Sequence, residues 1–491
     1  MMAVVPRDSI NVLFIAAEAE PFARVGGLGD VAGALPPALR AIDGFAGGPL
    51  KLDVRLAIPF YGSIKNADYS TVKIAEFDIP TKKGPVHAKV FETQLDGMPV
   101  YLVDGNPIHP TDPIYSKDFK ADAEKFIFFS LACLQLPKEI GWPVDILHAN
   151  DWHTAAAIHQ LKRVRKHDPF YTHTKGVISI HNLPFMGTGA SQALSLYNIT
   201  ASRNPDMPHW SRTLPLPMGI DAADWILTVS PHYAQEILTP GFGCDLQDYL
   251  KTKLDHLTGI LNGLDTERWD PATDKFIEQP FDAKTLPLRQ ANKTTLQKEL
   301  NLPENSIAPL LAYVGRMEHQ KGVDLILHAL SHLKPDGWQC IILGTGNQEI
   351  EAGTLQLQAA HPENIRVMTK FDVPLSHRIY AGADMLLMPS RYEPCGLAQM
   401  IAMRYGCLPV ASATGGLVDT IFNHTTDEVD TGFLFDLELR EGLTKTINNS
   451  LYSYKNQVEW QAIQKNAMAQ DHSWKNSALE YAKLYKWLVE R

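Results

Sequence analysis

The chain has 491 residues, which at roughly 150 residues per domain excludes a single small module and predicts two or three large units. Forty-five Lys and Arg stand against 55 Asp and Glu, a net charge of −10. That balance argues against a general nucleic-acid or anionic-membrane surface, so any phosphate must be gripped by a few local cations.

Hydrophobic residues at 45% and charged residues at 20% are globular proportions, enough for more than one buried core. The five cysteines, Cys133, Cys244, Cys340, Cys395 and Cys407, contain no C-x-x-C pair. This usage fits a reducing, cytoplasmic setting better than a disulfide scaffold or a zinc ribbon.

In chain order, the apolar run from Val12 to Ala17 follows a single basic residue, Arg7, and runs into Glu18 and Glu20. It reads as a buried first strand and not as a signal segment. No run approaches the ~18 apolar residues of a membrane-spanning helix. Short Val-, Ile- and Leu-rich runs then recur with helix-like segments between them, the pattern of buried parallel strands. One series holds 12–16, 54–58, 100–103, 145–148, 177–180 and 225–229. A second holds 310–314, 339–343, 365–368, 385–388 and 408–411.

Strand periodicity lapses over 239–262, which predicts a hinge. The expected architecture is α/β, two doubly wound Rossmann-like lobes facing a central cleft: residues 1–240, a hinge at 241–262, and 263–470. A terminal amphipathic helix over 471–491 would pack back on the first lobe, with Trp474, Ala478, Tyr481, Tyr485 and Leu488 on its inner stripe. Open sheets of this kind bind ligands beyond the carboxyl ends of their strands. Closure of the lobes over a ligand is the matching expectation.

Four places could carry chemistry. "RVGGLGDV" follows the first strand, and Gly26 and Gly27 would let an anion approach backbone amides and a helix N-terminus, with Arg24 beside it. A purely structural tight turn explains the same glycines. Arg316 and Lys321, in "GRMEHQKGVDL" after the strand at 310–314, suit a diphosphate clamp, or else a solvated basic loop. Glu393, in "SRYEPCGLAQM", stands at a helix entrance where it could accept sugar hydroxyls or merely cap the helix. "DILHANDWHT" and "ISIHNLPFMG" each end a first-lobe strand, and their histidines could be contacts or core residues. His148 and His153 lack a third ligand at metal spacing, so no metal is expected.

Taken together with "GILNGLDTERWDPATD", "ATGGLVDT" and "DHSW", these segments resemble bacterial glycogen synthases and plant starch synthases over essentially the whole chain. These are glucosyltransferases of the two-lobed GT-B fold. The resemblance implies retaining transfer of glucose from ADP-glucose, or alternatively UDP-glucose, to the non-reducing 4-OH of an α-1,4-glucan, with no metal or other cofactor. A non-catalytic nucleotide-sugar or glucan-binding protein is the rival from another class. An α-glucan phosphorylase would be a far longer chain. The implied partners are a nucleotide sugar and a glucan acceptor, with no nucleic acid and no membrane.

Carried over residue by residue, the resemblance assigns catalytic roles to Glu393, His181, Arg316 and Lys321. It assigns donor binding to Arg24, Gly26, Gly27, Asp151, Asn182, Asn262, Phe371, Cys395, Gly396, Leu397, Thr414, Gly415 and Gly416. Two departures stand out: Arg24 replaces the family's lysine, and Lys370-Phe371 replaces its commoner Gly-Tyr. Position 401, eight after Glu393, is Ile, so the E-x7-E pair of many other GT-B transferases is absent.

Overall fold

The computed structural model describes residues 9–42, 51–334, 337–423, 429–439 and 441–491. The chain divides into two compact units, Met1–Gly263 with Trp474–Arg491, and Leu264–Ser473.

Among the described residues the first unit holds nine strands: β1 (Ser9–Ile15), β2 (Lys51–Pro59), β3 (Val72–Ile79), β4 (Val86–Leu95), β5 (Met98–Gly105), β6 (Ile146–Asn150), β7 (Lys175–Ile180), β8 (Trp225–Thr228) and β9 (Leu257–Gly259). They form one sheet in the order β3-β4-β5-β2-β1-β6-β7-β8-β9. All neighbours run parallel except β3 with β4 and β4 with β5. The central strands are apolar throughout because both faces are covered: Val12 to Ala17 are 0% exposed.

Two features differ from the sequence reading. β3 and β4 are half-buried and polar on one side, with an alternating pattern that does not stand out as a continuous apolar run. Residues 241–262, expected to be a hinge, carry the helix Gln247–Lys251 and β9, which pairs with β8 and extends the first sheet.

The second unit contributes β10 (Leu310–Val314), β11 (Gln339–Leu343), β12 (Ile365–Met368), β13 (Met385–Met388), β14 (Leu408–Ser412) and β15 (Phe433–Phe435). They make a wholly parallel sheet in the order β12-β11-β10-β13-β14-β15. Counting within this unit, the order is 3-2-1-4-5-6, that of a doubly wound dinucleotide-binding sheet. The chain reverses its direction of strand addition between β10 and β13, the topological switch point beyond whose carboxyl ends sheets of this kind have their ligand crevice. In the first unit the equivalent point lies between β1 and β6.

The terminal helix, Trp474–Val489, buries Trp474, Ala478, Tyr481, Tyr485 and Leu488. It packs on β1 and on the helix Gly27–Arg40 in the first unit. Its Tyr485 hydroxyl lies 2.5 Å from His148 Nδ1, whose Nε2 meets Ser179 Oγ at 2.7 Å. No cysteine among the described residues is in a disulfide, and all but Cys244 are buried. No helix among the described residues is long and apolar enough to cross a membrane.

Candidate active site

In the second unit, Arg316 to Gly322 follow β10 and Pro389 to Leu397 follow β13, so both loops flank the crevice of that sheet. Gly322 has φ +67°, and a Cβ there would lie 1.9 Å from the Pro389 carbonyl oxygen. Glycine is required on both counts, and it lets the loops touch. Their contact brings Lys321 Nζ to 2.5 Å from Glu393 Oε2, which also accepts from Ser390 Oγ at 2.9 Å. Glu393 is 6% exposed. A carboxylate so buried is tolerable because it is paired and hydrogen-bonded.

The glycines of "ATGGLVDT" make room for the same loop. Gly415 has φ +46°, and a Cβ on it would lie 2.0 Å from the Glu393 carbonyl oxygen. One on Gly416 would lie 2.2 Å from the Cys395 carbonyl oxygen. Gly416 N donates to the Glu393 carbonyl at 3.0 Å, so that amide is committed within the fold. Thr414 is buried at the start of the helix Gly415–Thr420.

Gly396 takes φ +76°, and Gln399 Nε2 donates to the carbonyls of Cys395 and Gly396 at 3.0 and 3.1 Å. Cys395 is buried and Leu397 half-buried. Arg316 is exposed, and its guanidinium has no hydrogen-bond or ion-pair partner among the described residues. Phe371 is 80% exposed, beside Lys370, which pairs with Asp372 at 2.7 Å.

In the first unit, the turn after β1 is closed from beneath by a residue the sequence reading passed over. Glu18, 2% exposed, accepts from the amides of Val25 and Gly26 and from Tyr115 Oη at 3.1 Å. Burial pushes its carboxyl above the usual range. The Gly26 amide expected to meet an outside anion thus serves the protein's own carboxylate. Gly27 faces open space, where an added Cβ would meet nothing within 4 Å.

Arg24 turns its guanidinium side-on to Asp30, with Nε to Oδ1 and Nη2 to Oδ2 both at 3.0 Å, and has Glu20 at 3.6 Å. Burial raises the Asp30 carboxyl to about 6 even though Arg24 pulls it down. A lysine could not span both Asp30 oxygens in this way.

Beyond β6, Asp151 has φ +55°, a left-handed conformation uncommon outside glycine. Its Oδ1 accepts from the amides of His181 and Asn182 at 2.7 and 3.3 Å, tying the end of β6 to the end of β7. Burial raises its carboxyl to about 7. His181 is held neutral, lowered to about 4 by burial. Its Nε2 meets Asn150 Oδ1 at 2.8 Å, and Asn150 Nδ2 is spent on the Ile15 carbonyl. The amide orientation therefore places the proton on Nε2 and leaves Nδ1 an acceptor. Asn262 is buried, and its Oδ1 has no hydrogen-bond partner among the described residues.

His148 and His153 are core residues. His148 is enclosed by Tyr485 and Ser179, His153 is packed against Tyr115, Phe126 and Trp152, and burial lowers both to about 3. Among the described residues, no group of three or more His, Cys, Asp or Glu could hold a metal ion. Of the residues assigned from sequence, the structure gathers Lys321, Glu393, Cys395, Gly415 and Gly416 beyond the carboxyl ends of strands of the second unit's sheet. Separately, it gathers Asp151, His181 and Asn182 beyond the carboxyl ends of β6 and β7 in the first unit's sheet. Glu18, Asn150 and Ser390 were missed because nothing in their spacing distinguishes them from ordinary strand-end residues.

The starch synthase catalytic domain family matches residues 11–252, and the group 1 glycosyl transferases match residues 292–467. A glycogen synthase of Clostridium perfringens is 37% identical over 488 residues, covering 98% of this chain and 99% of that one. One from Anoxybacillus flavithermus is 36% identical, covering 98% of each chain. The solved catalytic domain of starch synthase IV from Arabidopsis thaliana, bound to ADP and acarbose, superposes with a TM-score of 0.87 at 32% identity, covering 98% of this chain and 100% of that one. A sucrose-phosphate synthase from Thermosynechococcus elongatus, covering 98% of this chain and 99% of its own, shares the fold with a TM-score of 0.61 at 19% identity.

Proposed function

The chain belongs to the glycogen and starch synthase family of GT-B glycosyltransferases, and on that premise we propose that it moves glucose from ADP-glucose to the non-reducing 4-OH of an α-1,4-glucan with retention at the anomeric carbon. The observation that carries this reading is the Lys321–Glu393 pair at the crevice of the second sheet, a cation and a carboxylate held side by side. The ADP and acarbose bound to the starch synthase IV relative support an adenine nucleotide donor and a glucan acceptor here.

In this reaction the bond from the anomeric carbon to the diphosphate oxygen breaks as the acceptor O4 bonds to that carbon on the same face. The departing diphosphate takes the proton of the acceptor hydroxyl. The protein supplies charge and position, not a covalent group. Lys321 and Arg316 offset the charge growing on the leaving group. Glu393 accepts hydroxyls of the donor glucose. In the first unit, Arg24, once released from Asp30, and His181, through its Nδ1 acceptor, are the donor-binding candidates. Phe371 offers an exposed ring on which the base stacks. No metal or organic cofactor enters this scheme. A cytoplasmic setting is part of the proposal, supported by the free thiols.

Initial rates with ADP-glucose and UDP-glucose on one glycogen preparation test the reading. Glucan-dependent release of ADP, faster than that of UDP, is the expected result. Faster UDP release would reverse the donor assignment, and saturable binding without release would make the protein a binder.

A further inference from the structure

Lys321 and Glu393 each lie in a segment between a strand and a helix, and a site built on such connections is held less precisely than one built on strands or helices. Here the two loops are laced together beside the pair. Arg391, two residues before Glu393, sends Nη1 to Asp324 Oδ1 at 2.8 Å and Nη2 to Asp324 Oδ2 at 2.6 Å. The same Nη1 donates to the His319 carbonyl at 2.6 Å. Arg391 N donates to the Gln320 carbonyl at 2.8 Å, and Gln320 Nε2 returns a bond to the Tyr392 carbonyl at 3.2 Å. These contacts bracket Lys321, since His319 and Gln320 precede it and Asp324 follows it.

We propose that Arg391 and Asp324 form a positioning clamp that fixes the β10 loop against the β13 loop and so sets the separation and direction of the Lys321 and Glu393 side chains. Neither clamp residue touches the reacting atoms. Their side chains are 42% and 37% exposed, and an ion pair so open to water contributes little to global stability. Its geometry is nonetheless the kind that transmits position. The planar guanidinium engages both carboxylate oxygens through two nitrogens and a backbone carbonyl at once, a rigid fork that a point-charge ammonium does not provide. The hydrogen bonds from Arg391 hold the Asp324 carboxyl below its usual range, in keeping with a formed pair. This clamp rests on the proposed transfer and adds to it two residues that its chemistry does not name.

The test uses the full chain, with Arg391→Ala, Arg391→Lys and Asp324→Asn assayed for glucan-dependent ADP release and for melting temperature. Arg391→Ala is expected to lower kcat by about 10-fold to 100-fold, the scale of a small misplacement of reacting groups, with an unchanged melting temperature. Arg391→Lys, keeping one of the two prongs, should recover part of that loss, and Asp324→Asn should fall between the parent and Arg391→Ala. Parent kcat in Arg391→Ala overturns the clamp, as does a kcat loss matched in every variant by a fall in melting temperature. A lysine variant no better than alanine also overturns it. If the parent protein itself releases no ADP, the proposed function fails, and that failure is visible before any variant is compared.

Discussion

Lys321 Nζ and Glu393 Oε2 are 2.5 Å apart although 72 residues separate them in the chain. They meet because β10 and β13 are neighbours in the sheet while β11 and β12 lie on the far side of β10. The ammonium and the carboxylate satisfy one another here; in the proposed transfer the first would turn to a donor phosphate and the second to a sugar hydroxyl.

Removing either member should slow transfer far more than it unfolds the protein. Lys321→Ala and Glu393→Gln are each expected to cost about 2.7 to 4 kcal/mol of barrier, roughly 10² to 10³ in rate. Steady-state rates on glycogen at saturating ADP-glucose check this. A variant turning over at the parent rate contradicts the assignment.

Gly322 is held at φ +67° against Pro389. Gly322→Ala should therefore force the two loops apart as well as strain the backbone. We expect a loss of roughly 1 to 3 kcal/mol in urea unfolding, together with a fall in kcat larger than that of Arg391→Ala, since both loops move.

Phe371 is 80% exposed and supports nothing in the core. Phe371→Ala should leave the melting temperature unchanged and raise the donor KM. Stacking on a base is worth about 1 to 3 kcal/mol, roughly 5-fold to 150-fold in affinity. Phe371→Tyr should retain the parent KM, and titration with ADP gives the same comparison without turnover.

His148 is held neutral inside the first unit, lowered from 6.5 to about 3 by burial. The unfolded chain therefore binds a proton at this residue between those values that the folded chain does not, and stability from this residue is lost as pH falls from 6.5 toward 3. His148→Gln, which can still meet Tyr485 and Ser179, removes that titration. Relative to the parent, the variant should gain up to about 1.4 kcal/mol per pH unit on acidification through this window. Urea midpoints at pH 7, 6 and 5 check the slope, and parallel curves would contradict it.

Much of this was legible in the sequence where burial is two-sided. The strands at 310–314, 339–343, 365–368 and 385–388 are read to the residue because each is a short, largely apolar run. β3 and β4 were not seen, since one face of each is polar and their pairing is with each other and β5. β9 is only three residues long and reads as part of a turn-rich segment.

At the site, residue types and loops were legible but partners were not. That Glu18 takes the amides of Val25 and Gly26, and that Arg24 lies against Asp30, depend on how the chain folds back on itself over a few ångströms. Spacing alone does not encode that. The glycines at 415 and 416 illustrate the difference: the resemblance assigns them to donor binding, and the close approach of the Glu393 and Cys395 backbone to them is visible only in the structure.

The most direct measurement is a crystal structure of the protein with ADP bound. The account predicts Lys321 Nζ turned from Glu393 onto a phosphate oxygen at hydrogen-bond distance, with Arg316 on the same diphosphate and Phe371 stacked on the base. ADP seated away from the β10 and β13 loops, with Lys321 still on Glu393, would contradict it.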